Sequence, residues 1–492
     1  MMLKFFEAFS TSKLKSLSTQ LGYMAQYQFT ASSIKEEGKN ILEIIENQNE
    51  LPKTRADKYL QEKFNLKWGQ VQSLFRKKKV KIYCKEINAM VEEPSYQLAN
   101  GDIIYYPKPI YQSLSDPAKR EQKQEKELEV DYKSLELFKN MIVFEDENFL
   151  IINKLPNLSS QGGAEVKLNL YFLMNNFFQW KKTKLETDLD SFTGIVHRLD
   201  KNTTGIMALA KTRNFAHSFS KMLRKRKTIT KTYLGVTEGL PADILASLGT
   251  KMAPNKILDR MKFEGVITAP LRYNPKTMKN ELGDLNEEDT KDTETYYQIL
   301  SFVKFEKVYN SGNLIASYIL NPNLYPDFKP SVLDIQAFFA DASNKNSKAF
   351  YNTIIRFNIE GGRKHQIRAH SAMVLGTPLL MDNRYGFERK SEPLMEEMFA
   401  NLDFTDYKRE DIVKINDKET VVVPDIKEES EIEKHYVKAL VDRSFLFLHS
   451  ARLEFELEGC RYDIKGGYPP YWNYYLRKVF GDEYKNIEKK FV

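Results

Sequence analysis

Gly194-Ile195-Val196-His197-Arg198-Leu199-Asp200-Lys201-Asn202-Thr203-Thr204-Gly205 runs directly into the apolar stretch Ile206 to Ala210 and then Lys211-Thr212. A polar loop ending in glycine thus lies between two short apolar runs, the pattern of a loop joining buried strands. Asp200 sits between Arg198 and Lys201, a setting in which a carboxylate stays ionised and is aimed at a ligand. An isolated Asp in a turn is more often an Asx-turn former than a catalyst, so its meaning depends on the surrounding chain. Further strand-like runs occur at Met141 to Phe144, Phe149 to Ile152, Thr232 to Thr237, Tyr297 to Phe302, Ile315 to Leu320, Thr353 to Ile359, Phe445 to Leu448 and Leu453 to Leu457. Over this part of the chain helical periodicity is weaker and scattered, at Asn214 to Arg224, His365 to Leu375 and Tyr471 to Phe480. Many strands with a few helices among them predict an α+β domain on a mixed, largely antiparallel sheet.

The Asp200 loop resembles motif II of the RluA family of pseudouridine synthases, His-Arg-Leu-Asp-x-x-Thr-Ser-Gly before an apolar strand and Ala-Lys-Thr; Thr204 replaces the serine. Gly361-Gly362-Arg363-Lys364-His365-Gln366-Ile367-Arg368-Ala369-His370 resembles the family's Gly-Arg-Thr-His-Gln-Ile-Arg-x-His, with Lys364 for Thr. The match continues through Leu375-Gly376-x-Pro378-Leu379-Leu380-x-Asp382-x-x-Tyr385-Gly386, where Met381 stands in place of the usual glycine. Lys231-Thr232-Tyr233 resembles the family's Lys-x-Tyr strand, and Phe149 to Lys154 matches its first motif in part. The resemblance implies that Asp200 is the catalytic carboxylate and Arg368 its ion-pairing partner. It further implies that Tyr233 packs on the uracil and is a candidate to take the proton from carbon five, and that Arg198 helps extrude the target nucleotide. His197, Leu199, Leu379 and Leu380 are expected to line the pocket. Arg224, Lys225, Arg226 and Lys231 form a basic cluster suited to phosphate contacts.

Upstream, Thr54 and Asp57 suggest a helix cap before Tyr59, Leu60 and Phe64, and a second helix is expected from Trp68 to Phe75. It runs into Arg76, Lys77, Lys78 and Lys79, followed by alternating Val80 and Ile82 and a Gly101-Asp102 turn. With Arg55-x-Asp57-x-x-Leu60, this resembles the RNA-binding module named after ribosomal protein S-four, which implies that Arg55, Arg76 and Lys77 to Lys79 contact RNA. The expected organisation is a leader over 1–50, a small α/β RNA-binding module over 51–110, a charged linker over 111–138 and the catalytic domain over 139–492. Polar stretches near 272–295, 320–350 and 391–443 are expected to be loop insertions, the last carrying an acidic excess unsuited to facing RNA.

The chain has 492 residues with 42% hydrophobic and 29% charged side chains, enough for more than one core. Lys plus Arg exceeds Asp plus Glu, 74 to 67, a net charge of +7 that permits a polyanionic partner without requiring one. Two cysteines exclude a disulfide framework. No apolar run approaches a bilayer span, and neither a zinc motif nor a glycine-rich phosphate loop is present. From Met1 to Lys35 the sole acidic residue is Glu7, while Lys4, Lys13, Lys15 and six serines give the composition of a mitochondrial targeting segment or of a disordered terminus; the location expected is mitochondrial, otherwise cytoplasmic or nuclear. The function expected is an isomerase that converts uridine to pseudouridine in RNA, ribosomal RNA first, with organellar large-subunit RNA as the leading substrate, and tRNA or other RNA after it. It would act as a monomer without cofactor, metal or membrane. The competing expectation is a noncatalytic ribosome-assembly factor that keeps the fold.

Overall fold

The computed structural model describes residues 31–37, 40–45, 54–64, 66, 68–115, 131–160, 168–185, 194–225, 228–248, 262–287, 289–307, 314–327, 331–340, 342, 349–402, 404, 409–416, 418–423 and 430–491. The chain divides into two compact units, Met1–Glu129 and Val130–Val492. The first 30 residues, Gln161 to Gly163, Arg226 and the centre of the expected linker lie outside the described residues.

In the first unit, five antiparallel strands order as Ala31–Glu37, Asn40–Ile45, Ile103–Pro107, Lys81–Cys84 and Ala89–Val91. The helices Ala56–Phe64 and Trp68–Arg76 contribute Leu60, Phe64, Val71 and Phe75 to the same buried cluster as Ile41, Ile45, Ile82 and Ile104. Two of these strands fall inside the stretch expected to be leader. The reason is Ile41-Leu42-Glu43-Ile44-Ile45, whose apolar residues complete the core and whose Glu43 is fully buried. That carboxylate accepts hydrogen bonds from Tyr106 (2.8 Å), Tyr59 and Lys63, which satisfies a charge that would otherwise be costly to bury. The expected Thr54 cap is also replaced. Thr54–Arg55 pairs as a short strand with Gln97–Leu98, and the buried Asp57 is clasped by two of the Arg55 guanidinium nitrogens, Nε at 3.0 Å and Nη2 at 2.7 Å. The helix Lys108–Ser115 runs from the expected module into the expected linker, and Tyr132–Lys139, at the linker's other end, is a helix of the second unit that buries Leu135, Leu137 and Phe138.

The second unit carries a 13-stranded sheet. Its main path runs Glu264–Ile267, Thr295–Lys307, Phe350–Ile359, Ile229–Glu238, Leu448–Leu457, Thr204–Ala210, Phe149–Lys154, Ile142–Glu145. Every pairing along it is antiparallel except Thr204–Ala210 with Leu448–Leu457, so the fold is α+β on a largely antiparallel sheet, as the sequence predicts. Phe445 to Leu448 and Leu453 to Leu457, expected as two strands, are not separate; Leu448–Leu457 is one strand.

The central strands Phe149–Lys154 and Thr204–Ala210 are buried along their whole length and mostly apolar because both faces are covered. Leu150, Ile152, Met207 and Leu209 join one buried cluster, while the alternate residues Phe149, Ile151, Ile206 and Ala208 join another with Phe215 and Phe219 of helix Arg213–Arg224. The helix Pro470–Phe480 covers a further face, burying Tyr471, Trp472 and Tyr475 against Leu234, Val236 and Ile354.

Each of the three expected loop insertions holds regular elements among its described residues. The first holds the hairpin Leu271–Asn274 with Lys279–Leu282, and the second the helix Val332–Phe339, whose Ser331 and Asp334 form a reciprocal capping box. The third contains helices Glu392–Asn401 and Glu431–Val441 and adds the hairpin Asp411–Ile415 with Lys418–Val422 to the main sheet. Its buried Asp411 accepts from Asn153 (2.8 Å), Arg409 (2.9 Å) and the Gly467 amide (2.9 Å). The acidic excess of this segment conceals anchor points because an Asp with three donors is a core residue, not a surface charge.

Candidate active site

The loop bearing Asp200 is held from below. Gly205, at φ 109°, opens the strand that pairs in parallel with Leu448–Leu457, and a Cβ there would lie 2.2 Å from the Ser450 carbonyl oxygen. The motif therefore needs glycine at its end because no side chain fits. The buried Lys154 ammonium donates to the carbonyls of Leu155 (2.8 Å), Leu158 (3.0 Å) and Lys201 (3.1 Å), tying the end of its strand to the residue after Asp200. Burial lowers the Lys154 pKa to about 7 while the Asp200 charge pulls it up. Ser160 donates to the Leu199 carbonyl at 3.0 Å, and the Thr203 amide to the Asp200 carbonyl at 3.1 Å.

Arg368 projects from helix Gln366–Met373, whose first residue is pinned to the Glu294 carbonyl (2.8 Å) and Thr295 (2.9 Å). Its guanidinium grips both oxygens of the buried Asp382 at 2.8 Å each and donates to Oδ2 of Asp200 at 3.1 Å. Burial works to lower the Arg368 pKa, but the hydrogen bonds and charge of Asp382, then those of Asp200, leave it raised. The guanidinium is a permanent cation with fixed geometry. His365 Nε2 lies 3.8 Å from the same Oδ2. Both partners thus address one oxygen, and among the described residues Oδ1 has none.

Asp200, Arg368 and Tyr233 line one cleft of about 1050 Å³, together with His197, Arg198 and Leu199. Tyr233 lies on strand Ile229–Glu238 and is 6% exposed. Burial, opposed by its Ser450 hydrogen bond and reinforced by the Asp200 charge, raises its pKa and keeps it a neutral phenol. The three residues that the resemblance picks out converge, although Arg368 lies more than 100 positions along the chain from the other two.

Other expected site residues are distributed differently. Leu379 and Leu380 are fully buried in the core. Leu380 exchanges backbone hydrogen bonds with Val236 and Phe447, which places the pair within the sheet packing instead of on the pocket wall. Lys231 is buried, donates to the Gly361 carbonyl at 2.9 Å and has its pKa lowered to about 8 by burial; it is part of the cleft wall, not an exposed phosphate contact. Arg224 lines the cleft mouth, and Arg198 and Lys225 are exposed. Arg76 and Lys77 to Lys79 are exposed on the first unit, with Lys78 paired to Glu92 at 3.0 Å, whereas Arg55 is engaged with Asp57. Met381, in the glycine position, keeps a glycine-like φ of 67°, a strain that its buried side chain offsets. Sequence reading passed over Lys154, His365, Asp382 and Tyr385 as site residues, although each lies inside a stretch that matches the family motifs.

His197 and His370 have structural partners. His197 Nε2 accepts from the Ala208 amide at 2.8 Å, and His370 bridges Thr295 and the Ala269 carbonyl at 2.9 and 3.0 Å. Among the described residues, no cluster of three or more His, Cys, Asp or Glu side chains is placed to hold a metal. No helix there is long and apolar enough to cross a membrane. Burial lowers the pKa of His197 and of His449 to about 3 and of His365 to about 4. These imidazoles stay neutral in the fold but charge near 6.5 when unfolded, so the unfolded chain binds more protons between pH 4 and 6.5 and stability falls as pH drops through that window. Each contributes a slope of about 1.4 kcal/mol per pH unit. The urea midpoint of the second unit is therefore expected to fall steeply between pH 6.5 and 4, and His449→Gln to flatten the slope by about one histidine's share.

A family model described as RNA pseudouridylate synthase matches residues 148–373. A ribosomal large subunit pseudouridine synthase C of Rickettsia conorii is 25% identical over 355 residues, 71% of this chain and 87% of that protein. The protein of the same name from Buchnera aphidicola subsp. Baizongia pistaciae is 28% identical over 210 residues, 42% of this chain and 58% of that protein's length. Among solved structures, human RNA pseudouridylate synthase domain containing 4 aligns over 70% of this chain and 94% of that one, at 17% identity and a TM-score of 0.38.

Proposed function

The chain belongs to the RluA family of pseudouridine synthases, and from that premise we propose that it isomerises uridine to pseudouridine in ribosomal RNA through Asp200. The observation that carries the reading is the convergence of Asp200, Tyr233 and the Asp382-braced Arg368 in one cleft. The reaction breaks the bond between ribose carbon one and uracil nitrogen one, turns the base within the cleft and rejoins it through carbon five; the carbon-five proton leaves and nitrogen one gains one, so atoms balance without a cofactor. Arg368 sets a permanent cation against Asp200 and holds Oδ2, leaving Oδ1 as the oxygen that acts on the ribose or the base. Tyr233 supplies a flat face for the uracil and, as a neutral phenol, takes the carbon-five proton only by releasing its own, so that it acts there as a relay. A target uridine reaches Asp200 only after leaving its stack, at a cost of a few kcal/mol. The exposed Arg198 and Arg224 at the cleft offset that cost through phosphate contacts.

The first unit is proposed as a second, tethered RNA contact that raises affinity without touching the chemistry. Lys77→Ala with Lys79→Ala is expected to weaken binding and to lower the slope of log affinity against log salt by about 2, roughly one per lost phosphate contact; an unchanged slope assigns these lysines to a solvated helix end. The finer substrate, organellar large-subunit RNA, rests on the leader composition, Lys4, Lys13 and Lys15 against Glu7. Deletion of the protein followed by transcriptome-wide pseudouridine mapping tests the reading. Loss of a discrete ribosomal uridine modification supports it. An unchanged map with impaired ribosome assembly favours a noncatalytic factor.

A further inference from the structure

The hairpin Leu271–Asn274 with Lys279–Leu282 belongs to a stretch that sequence reading takes for a loop insertion, yet it is fastened to Lys364, just before the catalytic helix, and to Arg384 and Tyr385 beyond it. The Lys364 ammonium meets the Tyr273 hydroxyl at 2.8 Å and lies 4.0 Å from its ring centre. The Asn280 side chain donates to the Lys364 carbonyl, and the Arg384 guanidinium donates to the Met278 carbonyl at 2.8 Å. The Asn280 backbone amide donates to the Tyr385 hydroxyl at 2.8 Å. That last bond fills an acceptor site on the phenol oxygen. The phenol's single proton is then directed at its other polar neighbour, Nδ1 of His365, 3.2 Å away.

The consequence falls on His365, which stands at φ 55° immediately before helix Gln366–Met373. A left-handed backbone at a residue with a side chain is strained and persists where the surroundings enforce it. A neutral imidazole carries one proton. With Nδ1 accepting from Tyr385, that proton is on Nε2, the nitrogen facing Asp200 Oδ2 at 3.8 Å. The opposite tautomer would set a lone pair against the carboxylate. Burial first, with the Arg368 charge and against that of Asp200, lowers the His365 pKa to about 4, so the ring is neutral at physiological pH.

We propose that the hairpin is a positioning element for catalysis: through the Asn280 amide and the Tyr385 hydroxyl it locks His365 as an Nε2–H donor to Asp200 Oδ2, reserving Oδ1 for the substrate. This deepens the reading of the cleft given above and rests on it. The 3.8 Å separation shortens to a hydrogen bond when RNA fills the cleft, as donors in empty sites commonly do. Tyr385 also presents its ring to Arg368, 5.2 Å from guanidinium carbon to centroid, and Tyr385→Phe leaves that contact while removing the hydroxyl alone.

The test uses the full-length protein with ¹⁵N-labelled histidine and an RNA that it modifies. In the wild type the His365 signal, assigned by its loss in His365→Gln, is expected to show a protonated Nε2 and a bare Nδ1; Tyr385→Phe is expected to mix the tautomers. Tyr385→Phe should lower the single-turnover rate about tenfold, the effect of one lost positioning hydrogen bond, with the RNA dissociation constant unchanged. His365→Gln, whose amide presents an N–H at the Nε2 position, should retain turnover within about threefold, and His365→Leu should lose about thirtyfold or more. A protonated Nδ1 in the wild type overturns the proposal. So does a Tyr385→Phe enzyme of full rate, or one whose rate falls only as far as its RNA binding. The tautomer reading stands apart from turnover, so failure of the wild type to modify any RNA would count against the proposed reaction and not against the lock.

Discussion

Asp200→Asn is expected to reduce the single-turnover rate by about 10⁴-fold or more, a barrier increase of roughly 5 kcal/mol, while RNA affinity stays within about twofold of the wild type. The amide has nearly the carboxylate's shape, so the loop held by Lys154, Ser160 and Gly205 remains in place. What disappears is the charge. An amide oxygen can still accept the Arg368 bond that now spans 3.1 Å, but it offers neither a nucleophilic oxygen nor a base at Oδ1. Folding is checked by the thermal midpoint, which is expected to move little because the Asp200 side chain keeps 16% of its surface exposed. Retained turnover in this variant would remove Asp200 from the chemistry altogether.

Arg368→Ala is expected to act on both stability and rate. Asp382 is 1% exposed and takes two hydrogen bonds from this guanidinium, so truncation leaves an uncompensated buried carboxylate at a cost of about 3–5 kcal/mol. Turnover should fall by about 10³-fold, since Asp200 loses its fixed orientation along with its cation. Arg368→Lys keeps a charge but not the planar fork and is expected to lie between. The paired change Arg368→Met with Asp382→Leu removes both members of the buried pair and should recover most of the stability with none of the activity. That contrast, read by urea unfolding beside single-turnover kinetics, separates the guanidinium's part in the fold from its part at Asp200.

Much of this site was legible in sequence because the chemistry is packed into short contiguous stretches. The Asp200 loop, the Tyr233 strand and the Arg368 helix each carry their role in fewer than a dozen residues, and the apolar runs beside them are strands buried on both faces. Partnerships that depend on distant chain segments were not legible. Glu43 reads as a surface acid until Tyr59, Lys63 and Tyr106 surround it. Asp411 hides in an acidic stretch, though it is held by Asn153 from a strand more than 250 residues earlier. Leu379 and Leu380 sit in a matching motif and are apolar enough for a pocket, but their backbone joins the sheet and their side chains turn to the core. The Leu271–Leu282 hairpin lacked the apolar alternation that marks a buried strand; what anchors it is a set of single polar contacts to residues near Arg368, and periodicity carries no trace of such contacts.

The most direct measurement is tritium release from ribosomal RNA labelled at uracil carbon five. Rejoining the base through that carbon expels its hydrogen, whereas binding, folding or ribosome assembly does not. Purified protein is predicted to release one tritium per modified uridine, with the RNA mass otherwise unchanged and no release from the Asp200→Asn variant. Intact label after prolonged incubation with RNA that the protein demonstrably binds, or equal release from wild type and variant, would contradict the account.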